Sequence, residues 1–221
     1  MPRAATPAVV AAAPSAFADP RAPHFTQERA RRTYEALIAA ATAAFAADGY
    51  DATGSPDIAR RARVSVGTFY RYFDDKQQLF LEVSRRHLAA GYHRIMTGLT
   101  PERFVGKARR ATIAETIDVL CAHVAQFPAM QKVFVEMALR DPEVARLRRT
   151  FDDLAREQLT ALIAAITPRS RVPDPAATAW VLYVAAVECA AALAGLHGPP
   201  TVAAPAAKAA LATVLDRALF D

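Results

Sequence analysis

Apolar residues recur at helical spacing along most of this chain, and they nowhere alternate over the length of a strand. Tyr34, Leu37, Ile38, Ala41 and Phe45 mark one face of a first helix, predicted from about Thr26 to Asp48 with Gly49 as its C-terminal cap. Ser55-Pro56-Asp57 opens a short second helix. Ser55 is a suitable N-cap, Pro56 fits the first helical position, and Asp57 suits the positive end of the helix dipole. Ile58, Ala59 and Ala62 then share one face. Arg63-Val64-Ser65 breaks the run, and Ser65 can cap a third helix. That helix is predicted to turn Phe69, Tyr70 and Phe73 inward and to leave Val66, Gly67, Thr68, Arg71 and Tyr72 towards solvent. After Asp74-Asp75 a fourth helix runs from about Lys76 to Met96, with Leu79, Phe80, Val83, Leu88, Tyr92 and Ile95 periodic.

Gly98 and Pro101 end this region, and five more helices are predicted beyond it. They run from Pro101 to Phe127 with a break near Gly106, Pro128 to Leu139, Pro142 to Ile166, Ala176 to Leu196, and Val202 to Phe220. Asp141 caps the third of these, with Pro142 at its first position. Pro168 to Pro175 is a loop, and His197-Gly198-Pro199-Pro200 parts the last two helices. The pattern predicts an all-α fold. Residues 1–23 are Ala/Pro-rich and read as a disordered tail. Ala16-Phe17-Ala18 resembles a signal-peptidase site, but the run before it is mostly Ala, is broken by Pro14 and has only Arg3 as a charged start.

Composition narrows the function. The net charge of +5 on 221 residues is modest, but it is uneven. Up to Thr97 there are 13 Lys/Arg against 9 Asp/Glu, and afterwards 14 against 13. The excess lies in the half holding the two short helices, as phosphate binding requires. Cys121 and Cys189 sit in apolar helical stretches and read as core thiols, with a redox pair as the minor alternative. No metal is expected: there is no CxxC, and His87 and His93 do not share a helical face. No cofactor or enzyme activity is expected either, since no nucleophile–base pair or Gly-rich phosphate loop is present. Ala176 to Gly195 carries Glu188 as its one charge and is long enough to cross a bilayer. It is Ala-dominated, unaccompanied and centrally charged, so it reads instead as a helix covered partly by a subunit interface, and no membrane partner is expected.

The two short helices form a helix-turn-helix. A short helix with small and hydrogen-bonding residues at its start fits a major groove, which makes the third helix the recognition helix, with Ser65, Val66 and Gly67 at its entry. Thr68 and Arg71 are the candidates for base edges, Arg71 to guanine, though Arg71 could equally rest on a phosphate. Arg29, Arg31 and Arg32 cluster at the start of the first helix and suit phosphates. Thr53 and Ser55 offer hydroxyls beside the free N–H groups that open the second helix.

The pattern D-I-A-x-x-A-x-V-S-x-G-T-F-Y-x-Y-F-x-x-K-x-x-L, carried here by Asp57, Ile58, Ala59, Ala62, Val64, Ser65, Gly67, Thr68, Phe69, Tyr70, Tyr72, Phe73, Lys76 and Leu79, resembles the TetR family of bacterial transcriptional regulators over about Arg29 to Leu81. The resemblance implies a DNA-binding domain at 24–75 and a ligand-binding and dimerisation domain at 76–221, with 76–97 as the linking helix. It also implies phosphate contacts at Tyr70 and Tyr72, and Lys76 holding the DNA backbone at the start of the fourth helix. The expected protein is a cytoplasmic homodimer, paired through its last two helices, that represses from a palindromic operator and is released by a small hydrophobic effector. Two positions depart from the family. Arg63 stands where a turn glycine is usual, and Pro56 stands where a polar DNA contact is common. For the effector, His123, Phe127, Met130, Phe134, Met137, Trp180, Tyr183 and Glu188 are large or polar residues in otherwise apolar helices, the composition of a small-molecule pocket. A dimeric DNA-binding protein without a physiological ligand stays open as the alternative.

Overall fold

A computed structural model describes residues 25–106 and 108–221, so the expectations for the tail at 1–23 and for Ala16-Phe17-Ala18 lie outside the described residues. Nine α-helices and one 3-10 turn make up the described residues, with no strand among them. They are α1 (Glu28–Ala52), α2 (Ser55–Arg61), α3 (Val66–Tyr72), α4 (Lys76–Met96), the 3-10 turn Pro101–Phe104, α5 (Ala108–Gln126), α6 (Pro128–Arg140), α7 (Pro142–Ile166), α8 (Pro175–Leu193) and α9 (Ala204–Phe220). The all-α expectation is met.

Local chemistry sets most of these boundaries. Ser65 caps α3 by accepting the Thr68 N–H at 3.0 Å. Asp75 accepts the Gln78 N–H at 2.7 Å while Gln78 Oε1 accepts the Asp74 N–H at 2.6 Å, a reciprocal cap that starts α4. Asp141 Oδ1 accepts from Glu143 and Val144 at 2.8 and 3.0 Å to start α7, and Asp174 accepts from Ala177 at 2.9 Å to start α8. Three details differ from expectation. Helix α1 begins at Glu28, and the end expected at Gly49 is a break in helical geometry (φ 81°, ψ 175°), beyond which one short turn follows to Ala52. Ser55 is the first residue of α2 rather than its cap, since Gly54 occupies the cap position without any side chain to contribute. The break expected near Gly106 is present (φ 61°), but the stretch before it, Pro101–Phe104, is a 3-10 turn rather than an α-helix.

Arg63, which stands where a turn glycine is usual, has φ 58° and is the one non-glycine residue at positive φ among the described residues. A side chain there costs about 1–2 kcal/mol that glycine avoids. Arg63→Gly is therefore expected to raise stability by about 1 kcal/mol, net of the extra freedom glycine has when unfolded, which urea unfolding would read as a higher midpoint at unchanged slope.

The described residues form two compact units. One takes in the described residues up to Ala89 together with Ala129–Arg148, and the other takes in Ala90–Pro128 with Arg149–Asp221. The first unit is built on aromatic residues. Phe45, Phe69 and Phe80 are wholly buried, the Phe45 ring meets the Phe80 ring edge-on at 5.2 Å, and Tyr34 stacks on Phe73 at 5.1 Å. Met130, Phe134 and Met137 of α6 are buried in this unit as well. Polar ties run along its outside: Arg140 to Asp51 at 2.8 Å, Gln77 Nε2 to Asp141 Oδ2 at 2.7 Å, and Arg86 to both Glu35 and Glu82 at 2.5 and 2.8 Å.

His87, largely enclosed on α4, bonds Gln131 at 3.2 Å, and burial holds its pKa below the ordinary 6.5. The neutral ring is thus the folded form. Its contribution to stability is complete above pH 6.5 and is lost as pH falls from there through the lower folded pKa. Melting temperature should drop over this window, and His87→Gln should flatten that drop while leaving the drop at carboxylate pH in place.

The second unit centres on Ile163, Val172, Ala179, Leu182 and Leu219, with Leu159, Leu215 and Phe220 against them. A buried polar pair is satisfied within it: Tyr92 donates to Gln158 at 2.7 Å, and Gln158 donates to the Met96 carbonyl at 3.1 Å. Asp216 is 6% exposed and bonds Arg109 and Arg110, each at 2.9 Å. Burial pushes its carboxyl pKa up, but the two guanidiniums outweigh this and hold it below the usual range. Cys121 is buried and Cys189 half-buried, both as free thiols. Helix α8 is long and apolar enough to cross a membrane by length and composition, yet only 22% of its most apolar stretch is buried. Trp180 (52% exposed), Val181 and Val184 of α8 and Val214 of α9 leave an apolar face open.

Candidate nucleic-acid interface and internal cavity

Everything needed to present α3 comes from within the first unit. The Ser65 hydroxyl is committed to capping, with the Thr68 hydroxyl 2.9 Å from it. Phe69 and Phe73 anchor the inner face, at 0% and 3% exposure. The outer face carries Val66, Gly67, Tyr70 and Arg71, all exposed, with Thr68 half-buried at its edge. The two tyrosines exchange the places predicted for them. Tyr70 is 54% exposed with its ring edge-on to Phe69, whereas Tyr72 is half-buried with its ring 6.1 Å from both Phe25 and Tyr34. In a helix of seven residues, a small rotation decides which of two flanking aromatics faces in.

Other expected contacts also sit differently. Thr53 is 2% exposed and donates its hydroxyl to the Gly49 carbonyl at 2.7 Å, so its side chain is enclosed by the kink and does not face a phosphate. Ser55 remains half-exposed at the start of α2. Arg29 and Arg31 are exposed on α1, but Arg31 is already paired with Glu28 at 2.8 Å, as is Arg32 at 3.1 Å. The paired Arg31 and Arg32 hold the Glu28 carboxyl below the usual range, so a phosphate would compete with a fully ionised acid there. Lys76 turns inward. Its ammonium donates to the Tyr50 and Thr53 carbonyls at 2.8 and 2.9 Å and lies over the Tyr50 ring at 4.3 Å. Two of its three protons thus close the end of α1, where carbonyls would otherwise lack partners. One ammonium proton is left over for the DNA-backbone contact expected of this lysine.

Arg60, Arg61 and the exposed Arg63 had no place in the expected contact set. Arg60 pairs with Asp57 at 2.7 Å and Arg61 with Asp48 at 2.5 Å. Their run in the sequence, just before the turn, is the signal that marks them as basic neighbours of α3.

The second unit holds a partly open cavity of about 140 Å³. Its walls come from the end of α4 (Ile95, Met96), α5 (Ile113, Ile117, Leu120), α7 (Phe151, Leu159, Leu162), α8 (Leu182, Tyr183, Val187) and α9 (Leu215, Leu219). Of the eight residues expected to line a pocket, the structure places only Tyr183 there. Met130, Phe134 and Met137 are core of the first unit. Phe127 and Trp180 are exposed, and Glu188 lies in solvent against His197 at 3.1 Å. His123 packs against Gly91 of α4, so closely that any larger residue at 91 would collide with its ring. No cluster of His, Cys, Asp and Glu among the described residues is arranged to hold a metal.

A helix-turn-helix head joined to a helical second unit defines a class: proteins that read duplex DNA with one short helix. Residues 37–83 match the family of bacterial regulatory proteins of the tetR type. The chain is 31% identical over 112 residues to the HTH-type transcriptional activator FasR of Mycolicibacterium smegmatis, covering 49% of this chain and 48% of that one. It is 37% identical over 68 residues to the HTH-type transcriptional regulator TcmR of Streptomyces glaucescens, covering 31% and 30%. The chain thus spans about half or less of the length of these curated relatives. Among solved structures it superimposes on a Mesorhizobium loti protein assigned to the TetR family with a TM-score of 0.70 at 20% identity, covering 87% and 98% of the two chains. Against NalD, the secondary repressor of the MexAB-OprM multidrug efflux pump in Pseudomonas aeruginosa, the TM-score is 0.64 at 17% identity, covering 86% and 98%. At such identities these two structures show the fold. Residues 37–83 thus carry a DNA-binding domain of the tetR type.

Proposed function

We propose that this protein is a homodimeric transcriptional repressor that reads a palindromic operator with α3 and leaves it when a small apolar effector enters the second unit. The observation that carries the DNA-binding part is the exposed face of α3, with Gly67, Thr68, Tyr70 and Arg71 presented on a helix fixed from behind by Phe69 and Phe73. Thr68 and Arg71 are assigned to base edges, and Tyr70, Arg29 and the Arg60–Arg63 run to phosphates. The open apolar face of α8 and α9 supports dimerisation, because a second copy laid on the same face would cover Trp180 and Val184 by two-fold symmetry. Two heads about 34 Å apart would then meet successive major grooves. Such a protein works in the cytoplasm, beside the DNA.

In the mechanism, the effector binds one of two head arrangements better than the other, and the DNA binds the second; each ligand weakens the other by the same factor. A titration of the purified protein against the DNA upstream of its own gene, with random competitor at near-physiological salt, tests the reading. A complex of one dimer per palindrome that survives competitor is expected. No DNA affinity would sink it, and a promoter fusion that loses rather than gains expression on deleting the gene would replace repression with activation, the role in FasR's name.

A further inference from the structure

The lining of the cavity restricts what can enter it. We propose that the second unit takes the effector by a neutral hydrocarbon portion of about six to eight heavy atoms, held by shape and burial with no polar anchor; this rests on reading that unit as effector-binding. The walls are aliphatic side chains with the rings of Phe104, Phe151 and Tyr183, and the polar groups present are already committed. Tyr183 donates its hydroxyl to Asp152 at 2.6 Å, and Thr116 donates to the Thr112 carbonyl of its own helix at 2.8 Å. Asp152 is occupied by that hydroxyl, and Lys208 and Asp118, which line a neighbouring groove sharing Ile117 with the cavity, neutralise each other at 2.9 Å.

Three consequences follow from this geometry. A charged group brought inside would lose its water and gain no partner, which costs far more than the contact returns. A neutral group of the right size loses only water it holds weakly. The volume sets that size: about 140 Å³ is close to the ~150 Å³ apolar cavity that stays dry and binds benzene, and is below the ~300 Å³ at which sites for larger ligands begin.

The test is thermal unfolding of the full chain with toluene, benzoate and benzylammonium, which share one ring and differ in charge. Toluene at ten times its Kd should raise Tm by about 4 °C, while the two ions should leave it unmoved. Tyr183→Phe should keep the toluene shift, because its hydroxyl is not an anchor, and Ala186→Phe, which fills the cavity from α8, should abolish it. A shift of equal size from benzoate or benzylammonium, loss of the shift in Tyr183→Phe, or no shift from toluene would each overturn the proposal. DNA binding measured on the same preparation separates the two claims. Operator binding without a toluene shift defeats the hydrocarbon site alone, and a toluene shift without operator binding defeats the regulator reading alone.

Discussion

Phe45→Ala is expected to cost about 3–5 kcal/mol and to leave the DNA-reading head largely unfolded at growth temperature. The ring is wholly buried, lies edge-on to Phe80 at 5.2 Å and stacks near Tyr50 at 5.7 Å, so one side chain joins α1, its kinked end and α4. Truncation removes a wholly buried ring from that junction. The surrounding helices are held by Lys76 and Thr53 on the α1 carbonyls and cannot collapse freely into the space. Urea unfolding followed by circular dichroism would read the loss. Phe127→Ala provides the comparison: the same deletion at a 46% exposed position is expected to stay within about 0.5 kcal/mol. Similar losses for the two would show that the junction is not packed as described.

Arg71→Ala is expected to weaken operator binding about 10- to 100-fold while changing affinity for random DNA much less. A bidentate contact to guanine discriminates by about 1–3 kcal/mol, whereas a phosphate contact is blind to sequence. Arg71 is exposed on α3, and among the described residues no ion pair holds it, unlike Arg31, Arg60 and Arg61. Arg71→Lys keeps the charge and loses the planar fork, so it should behave like the alanine on the operator and like the wild type on random DNA. Equal losses on both DNAs would move Arg71 to the phosphates.

How much of this was legible in the sequence depends on whether local or distant chemistry decided it. The starts of α3 and α7 were readable because Ser65 and Asp141 bond N–H groups two or three residues away. The departure at Arg63 was readable because a single turn sets its φ. Tyr70 and Tyr72 were assigned the wrong faces because the packing of Phe25 and Tyr34, over thirty positions upstream, decides which ring is covered. Lys76 has the residue type of a phosphate contact, and only the folded path of α1 brings carbonyls to it. The cavity was the least legible part. Ile95, Ile117, Leu162 and Leu219 are ordinary core residues by type and spacing, and the gap between them arises where helices distant in sequence fail to close on each other. Conspicuous residues such as Trp180 and Glu188 drew attention because they interrupt an apolar helix, yet they do so on its open side.

That open side carries the chain's single tryptophan. Indole fluorescence responds to how much water surrounds the ring, and no second indole contributes background. Trp180 is therefore a built-in optical reporter for the coverage of one surface. Its emission would be red where the face is bare and blue-shifted where a second copy lies over it, so simple dilution, without a label or a mutation, reads out association as a change of colour.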